Sequence, residues 1–311
     1  MKSIGLSGLR ADLPIGAMAA FGCLRVLQRV EVFRGSKLAW ERAGGSFTAV
    51  LFPPGGQAES DLVAALMADV KTAADRKELT WRKKLKGLGQ QEYHDAAAEA
   101  LQEASQRRRE TADWFAAFGC ETGLDREGNI EPTPLDMTGG PQEFLAGALE
   151  LASRLSTEPK GRKKGKTPEK AYREALFGPW EYGEDQHSLG WDPTTIKLGA
   201  FTHQAPTKMA NSGVLAAIWL AFESIPLFPC FSADGVRGFQ RSRREWTLYW
   251  PVWERALSLD SIASFLSLPE KEMWGRGATA VYKSRRFYLN KYYAAFRAPE
   301  LGGVTAAAAA G

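Results

Sequence analysis

The side chains best suited to chemistry are scarce and scattered. Three histidines (His94, His187, His203) and three cysteines (Cys23, Cys120, Cys230) stand in 311 residues, which limits any reaction needing an imidazole base, a thiolate or a soft-ligand metal site. The cysteines are odd in number, far apart and flanked by apolar residues, so they read as small buried hydrophobes of a reducing compartment. His94 falls in a polar helix and His187 and His203 in loops; all three read as solvated side chains, although the last two could meet in the fold. The acidic pairs Glu184/Asp185 and Glu121/Asp125 are of a type that can hold Mg²⁺, which keeps a metal-dependent nuclease open as a third reading. Neither a phosphate loop, a zinc-protease motif, a paired Cys-x-x-Cys nor a nucleophile elbow is present. The pieces Gly44-Gly45 and Gly139-Gly140 could cradle a phosphate, the second because a helix is expected after it; each also reads as an ordinary turn. The chain is expected to be nonenzymatic, with no catalytic residue, metal or cofactor.

The positive signal is electrostatic and local. Residues 237–297 hold 12 Lys and Arg against five Asp and Glu, an excess of seven, whereas the whole chain is only +4 and the remainder is therefore net −3. Phe239, Trp246, Tyr249, Trp250, Trp253, Phe287 and Tyr288 are interleaved with Arg237, Arg241, Arg243, Arg244, Arg285 and Arg286. Cations alternating with rings suit a polyanion whose bases can stack; an aromatic core under a solvated basic face would give the same pattern. A second basic cluster runs from Arg76 to Lys86, and a third from Lys160 to Lys170 with Lys163, Lys164 and Lys166. The segment after Phe201 gathers Gln204, Thr207, Lys208 and Asn211 ahead of an apolar helix, a placement suited to base-edge or sugar contacts and equally to helix capping by Thr207 or Asn211. These are the candidate nucleic-acid-binding residues. A protein-interaction or scaffold subunit without nucleic-acid contact is the alternative.

The elements that must position them follow from periodicity and punctuation. A helix is expected over Ile15–Leu27, with Pro14 in its first turn. Alternating segments Val30–Phe33, Lys37–Trp40 and Phe47–Phe52 predict a short antiparallel meander. A long helical region from Ser60 to about Phe118, interrupted near Gly87-Leu88-Gly89 and capped by Ser60 or Asp61, predicts an inserted hairpin or bundle. Further helices are expected to about Leu155, around Ala171–Phe177, over Ala210–Ile225 and near Ser258–Leu268. Strand material lies at Phe239–Gln240, Glu245–Pro251, Val281–Tyr282 and Phe287–Tyr288. The fold class is thus α+β, divided as an N-terminal region 1–155, a basic loop 156–170 that is mobile by composition, a C-terminal aromatic and basic region 171–304, and a tail 305–311. The apolar stretch near the N-terminus contains Arg25 and is too short for a membrane span, so a soluble cytoplasmic protein without membrane contact is expected.

Several segments carry a family resemblance. Leu13-Pro-Ile-Gly-Ala-Met-Ala-Ala-Phe-Gly-Cys-Leu-Arg-Val-Leu, Trp114-Phe-Ala-Ala-Phe-Gly-Cys-Glu, Asp136-Met-Thr-Gly-Gly-Pro-Gln-Glu-Phe-Leu, Ala175-Leu-Phe-Gly-Pro-Trp, Leu189-Gly-Trp-Asp-Pro and Trp219-Leu-Ala-Phe-Glu-Ser-Ile-Pro-Leu-Phe-Pro resemble, in the same order, proteins of subtype I-G (formerly I-U) CRISPR loci. Those are described as the effector large subunit or as an extension associated with the helicase-nuclease. The resemblance implies a subunit of a crRNA-guided, Cascade-like ribonucleoprotein in antiviral defence. Its partners would be crRNA, double-stranded target DNA near the protospacer-adjacent motif, other effector subunits and the helicase-nuclease. It supplies no catalytic residues.

Overall fold

The computed structural model describes residues 2–105, 109–139, 142–159, 165–186, 188–195, 212–232, 235–243, 245–290 and 293–302. Strand β1 (Ile4–Arg10) leads into helix α1 (Pro14–Leu27), and the hairpin β2 (Lys37–Ala43) and β3 (Ser46–Phe52) completes an antiparallel sheet in the order β1-β3-β2. Gly44 and Gly45 form the two-residue turn of that hairpin, at φ +55° and +85°, the conformation that two-residue hairpin loops demand and glycine adopts without steric cost. Val30–Phe33, expected as a strand, instead holds a single 3₁₀ turn, Glu31–Phe33. It is anchored by the buried Phe33 ring and by the Ser36 hydroxyl donating to the Phe33 carbonyl.

The expected helical region is four helices: α2 (Glu59–Val70), α3 (Lys77–Thr80), α4 (Gln90–Ser105) and α5 (Arg109–Phe118). Neither Ser60 nor Asp61 is the N-cap. Ala58 occupies that position, and Asp61, three residues on, accepts its backbone N–H. Next come α6 (Phe144–Ser156), α7 (Pro168–Phe177) and α8 (Leu215–Glu223). In the C-terminal region lie a small hairpin, β4 (Cys230–Ser232) with β5 (Gly235–Val236), then β6 (Phe239–Ser242), β7 (Glu245–Val252), α9 (Leu259–Leu266), α10 (Glu270–Gly275), β8 (Ala280–Asn290), β9 (Tyr293–Phe296) and β10 (Glu300–Leu301). The two short strands expected near 281 and 287 are one strand, β8. It pairs with β7 on one edge and with β9 and then β10 on the other, all antiparallel. The fold is α+β.

Helices α1 and α8 explain the core. Every residue of each is buried, the expected state of a helix apolar on all sides, and each carries one charged residue, Arg25 and Glu223. The two helices pack so closely that a Cβ on Gly22 would lie 1.7 Å from the Leu220 carbonyl oxygen. The core runs without a break from Ile4 to Phe296. Indole donors tie its parts together, from Trp250 to the Ala11 carbonyl, Trp253 to Leu38 and Trp191 to Leu135.

Candidate nucleic-acid interface

Alternation along β7 and β8 gives the C-terminal sheet two unlike faces. Trp246, Leu248 and Trp250 point into the core, while Thr247 and Tyr249 on the other face are only partly buried. Register places Arg285 beside Thr247 and Lys283 beside Tyr249 on that outer face, with Gln240 beyond Thr247. Phe287 follows Arg285 on the same side. Across the other edge Arg297 donates its backbone N–H to the Arg285 carbonyl and lays its guanidinium 5.0 Å from the Phe287 ring centroid. Lys283 reaches Glu300 at 3.7 Å. Arg237, Arg243, Arg285 and Arg297 have no carboxylate within ion-pair distance among the described residues.

Arg243 marks one end of this face. It stands at φ +56° in the two-residue turn between Ser242 and Glu245, nearly the φ that Gly44 adopts in the β2–β3 turn. For a residue with a Cβ this conformation costs roughly 1–2 kcal/mol. An exposed arginine held there is a feature whose purpose is sought in function rather than packing.

The remaining candidates divide. Arg241 faces the core side, 5.0 Å from the Trp246 ring centroid and 3.3 Å from the Glu131 carboxylate. Arg286 donates to the Asp136 carbonyl at 3.1 Å and lies against Tyr288. Lys166 is committed to Glu174 at 2.6 Å and Glu181 at 2.9 Å, and its backbone N–H to Glu184. Lys163, Lys164, Gln204, Thr207, Lys208, Asn211 and Arg244 lie outside the described residues. Arg297, missing from the candidates, could have been found by extending the alternation of β8 to a following antiparallel strand.

The basic cluster from Arg76 to Lys86 is divided: Arg76 and Arg82 are partly buried, while Lys77, Lys83, Lys84 and Lys86 are exposed, Lys83 and Lys84 with no carboxylate at ion-pair distance among the described residues. Arg76 bonds Glu78 and Glu223, Lys77 pairs with Glu99, Arg82 with Glu92, and Lys86 donates to the Thr138 carbonyl. Arg76 belongs to a network around Glu223, which is fully buried and also accepts from Arg25 at 2.9 Å and Arg29 at 3.1 Å. Burial pushes the Glu223 carboxyl up, but Arg29, Arg76 and Arg25 outweigh it and hold the group down at about 2. Asp69 and Glu110 supply further carboxylates to Arg29, and Arg25 and Arg76 flank the buried Trp114 ring at 5.2 and 5.3 Å. Arg25, Trp114 and Glu223 all come from segments that carried the family resemblance, so those segments converge on the core rather than on the outer face.

The described groups considered for catalysis are already engaged, while His187 and His203 lie outside the described residues. His94 and Glu121 pair with each other at 2.9 Å on the surface, Asp125 accepts two backbone N–H groups of its own turn, and Glu184 holds Arg154 at 2.7 Å. Cys23 is fully buried and Cys230 half-buried; burial pushes both thiols up to about 12. Gly139 does not open a helix directly, because α6 starts at Phe144, and Gly140 lies outside the described residues. Among the described residues no cluster of three His, Cys, Asp or Glu has metal-site geometry, and no helix is long and apolar enough to cross a membrane. No family model, curated protein or solved structure matches the chain.

Proposed function

We propose that this chain is a nonenzymatic, nucleic-acid-binding subunit of a type I CRISPR crRNA-guided surveillance complex, of the subtype I-G kind its sequence resembles. In that role it engages target DNA near the protospacer-adjacent motif and supports recruitment of the helicase-nuclease. The observation that most supports binding is the outer sheet face, where Arg243, Arg285 and Arg297 stand without carboxylate partners beside Tyr249 and Phe287. Guanidinium groups free of protein anions release counterions when they meet phosphates, and rings on an open sheet accept bases by stacking.

The test is a salt titration of oligonucleotide binding by the full chain and by the Arg243→Ala, Arg285→Ala, Arg297→Ala triple variant. The variant should bind more weakly, and its slope of log affinity against log salt should be shallower by about 0.7–0.9 for each arginine that meets a phosphate. Equal affinity and equal slope for the two proteins would overturn the assignment of this face. A chain that binds no nucleic acid but copurifies with neighbouring subunits would instead be the scaffold subunit.

A further inference from the structure

Beside the outer face, a groove of about 300 Å³ lies between β6 and the turn preceding α10, lined by Phe231, Arg237, Gln240, Tyr249, Leu268 and Pro269. That volume is at the lower end of small-ligand clefts, about 300–1,000 Å³, and is too small to admit a duplex. Phe231 is 69% exposed, an unusual state for a large apolar side chain. Its ring nevertheless has a defined seat, because a Cβ on Gly235 would lie 2.3 Å from the Phe231 Cε2 atom. One edge of the ring therefore rests on bare backbone while most of its surface is open.

Two polar groups of the groove, Gln240 and Arg237, are free to meet a ligand, whereas the Ser267 hydroxyl donates to the Ala263 carbonyl. The Gln240 amide is exposed and bonds no described residue; it offers a donor and an acceptor together, the pair that a base edge needs. Arg237 is half-buried, makes one long bond of 3.5 Å to the Leu227 carbonyl and has no carboxylate partner among the described residues. A guanidinium cannot shed its proton, so a partly desolvated one is best satisfied by an anion brought from outside. Tyr249 is a diagonal neighbour of Arg285 across the β7–β8 ladder, which makes the groove continuous with the arginines of the outer face.

We infer that this groove takes one unstacked base of a single-stranded nucleic acid, with the base on Phe231, its edge at Gln240 and an adjoining phosphate at Arg237. The inference rests on the nucleic-acid-binding reading and specifies the ligand of that surface. A flat apolar platform, an amide and a cation with no carboxylate at ion-pair distance match the face, edge and phosphate of a nucleotide, and the absence of room for a pair selects a single strand.

The experiment uses the full chain with short single strands, in deoxy and ribo forms, each carrying one 2-aminopurine, and with a duplex of the same sequence. Binding should raise the 2-aminopurine fluorescence, because a base taken out of its strand's stack loses the quenching by its neighbours. Phe231→Ala should abolish the rise and weaken single-strand binding about tenfold, equivalent to about 1.4 kcal/mol, while duplex affinity stays within twofold of wild type. Phe231→Trp should restore the affinity. Because the ring is largely exposed, neither substitution endangers the fold. Fluorescence rise and affinity unchanged in Phe231→Ala, with binding still lost in the triple arginine variant, would overturn the groove and leave the binding reading standing. No binding of single strand or duplex by wild type would overturn both. The tighter of the deoxy and ribo forms identifies which nucleic acid supplies the base.

Discussion

Arg243 and Gly44 occupy equivalent positions in two hairpins and solve the same backbone problem differently. If the arginine is kept for its charge, replacing it with the residue suited to the turn should separate stability from binding. Arg243→Gly is expected to raise the urea midpoint slightly, by at most about 1 kcal/mol of stability, and at the same time to weaken oligonucleotide binding at low salt. A variant that is more stable with binding intact would reduce Arg243 to an accident of the turn. The role of Arg241 was hidden from the sequence for a related reason. It sits two residues before Arg243, and strand alternation would put both on one face, but Arg241 lies within β6 on the core side, where Trp246 and Glu131 hold it, whereas Arg243 has left the strand for the turn.

At the level of elements, α1 and α8 show how two apolar segments far apart in the chain specify one contact. Glycine inside a helix is less favourable than alanine by about 1 kcal/mol, and Gly22 accepts that cost to bring α1 against the Leu220 carbonyl. Gly22→Ala should therefore destabilise the protein despite its better helix propensity, by about 1–3 kcal/mol or more as overpacking, measured as a lower urea midpoint. An unchanged midpoint would mean that α8 can move aside. Both helices were legible from their apolar spacing, as were α6, α7, α9, β2, β3 and β7. The break between α3 and α4 falls where the glycines near Gly87 and Gly89 predicted an interruption, but the break between α2 and α3 was less legible: there Arg76 stands in extended backbone and bonds a glutamate 147 residues away. The hairpin β4–β5 and strands β9 and β10 were missed, being too short to carry a period of their own.

For the whole molecule, the ion network around Glu223 joins α1, α2, α3, α5 and α8 in one charge-satisfied centre. Removing the shared carboxylate takes the fully buried partner from three arginines, which keep only Glu110, Asp69 and Glu78 between them, so Glu223→Ala should cost about 3–5 kcal/mol, read from chemical denaturation. The pH dependence has a definite sign. An unfolded glutamate titrates near 4.3, and the folded Glu223 carboxyl is held down at about 2. Its contribution to stability is thus complete above about pH 5 and is lost as pH falls through that interval toward 2. Wild type should lose stability more steeply than Glu223→Gln between pH 5 and 2, and parallel curves would show that the network does not report on acid. What the sequence determined by itself was the α+β class, the all-buried character of α1 and α8, the scarcity of imidazole and thiol, and the concentration of positive charge and rings in the last third of the chain, because composition and short-range periodicity are local properties. Only the tertiary structure decided which cations are free. Pairing across large sequence separations withdraws Arg25, Arg29, Arg76 and Arg241 into contacts with carboxylates, and nearer glutamates take Lys166, while Arg285 on β8 and Arg243 and Arg297 just past the ends of their strands stay exposed; a charge run in a sequence contains neither fact.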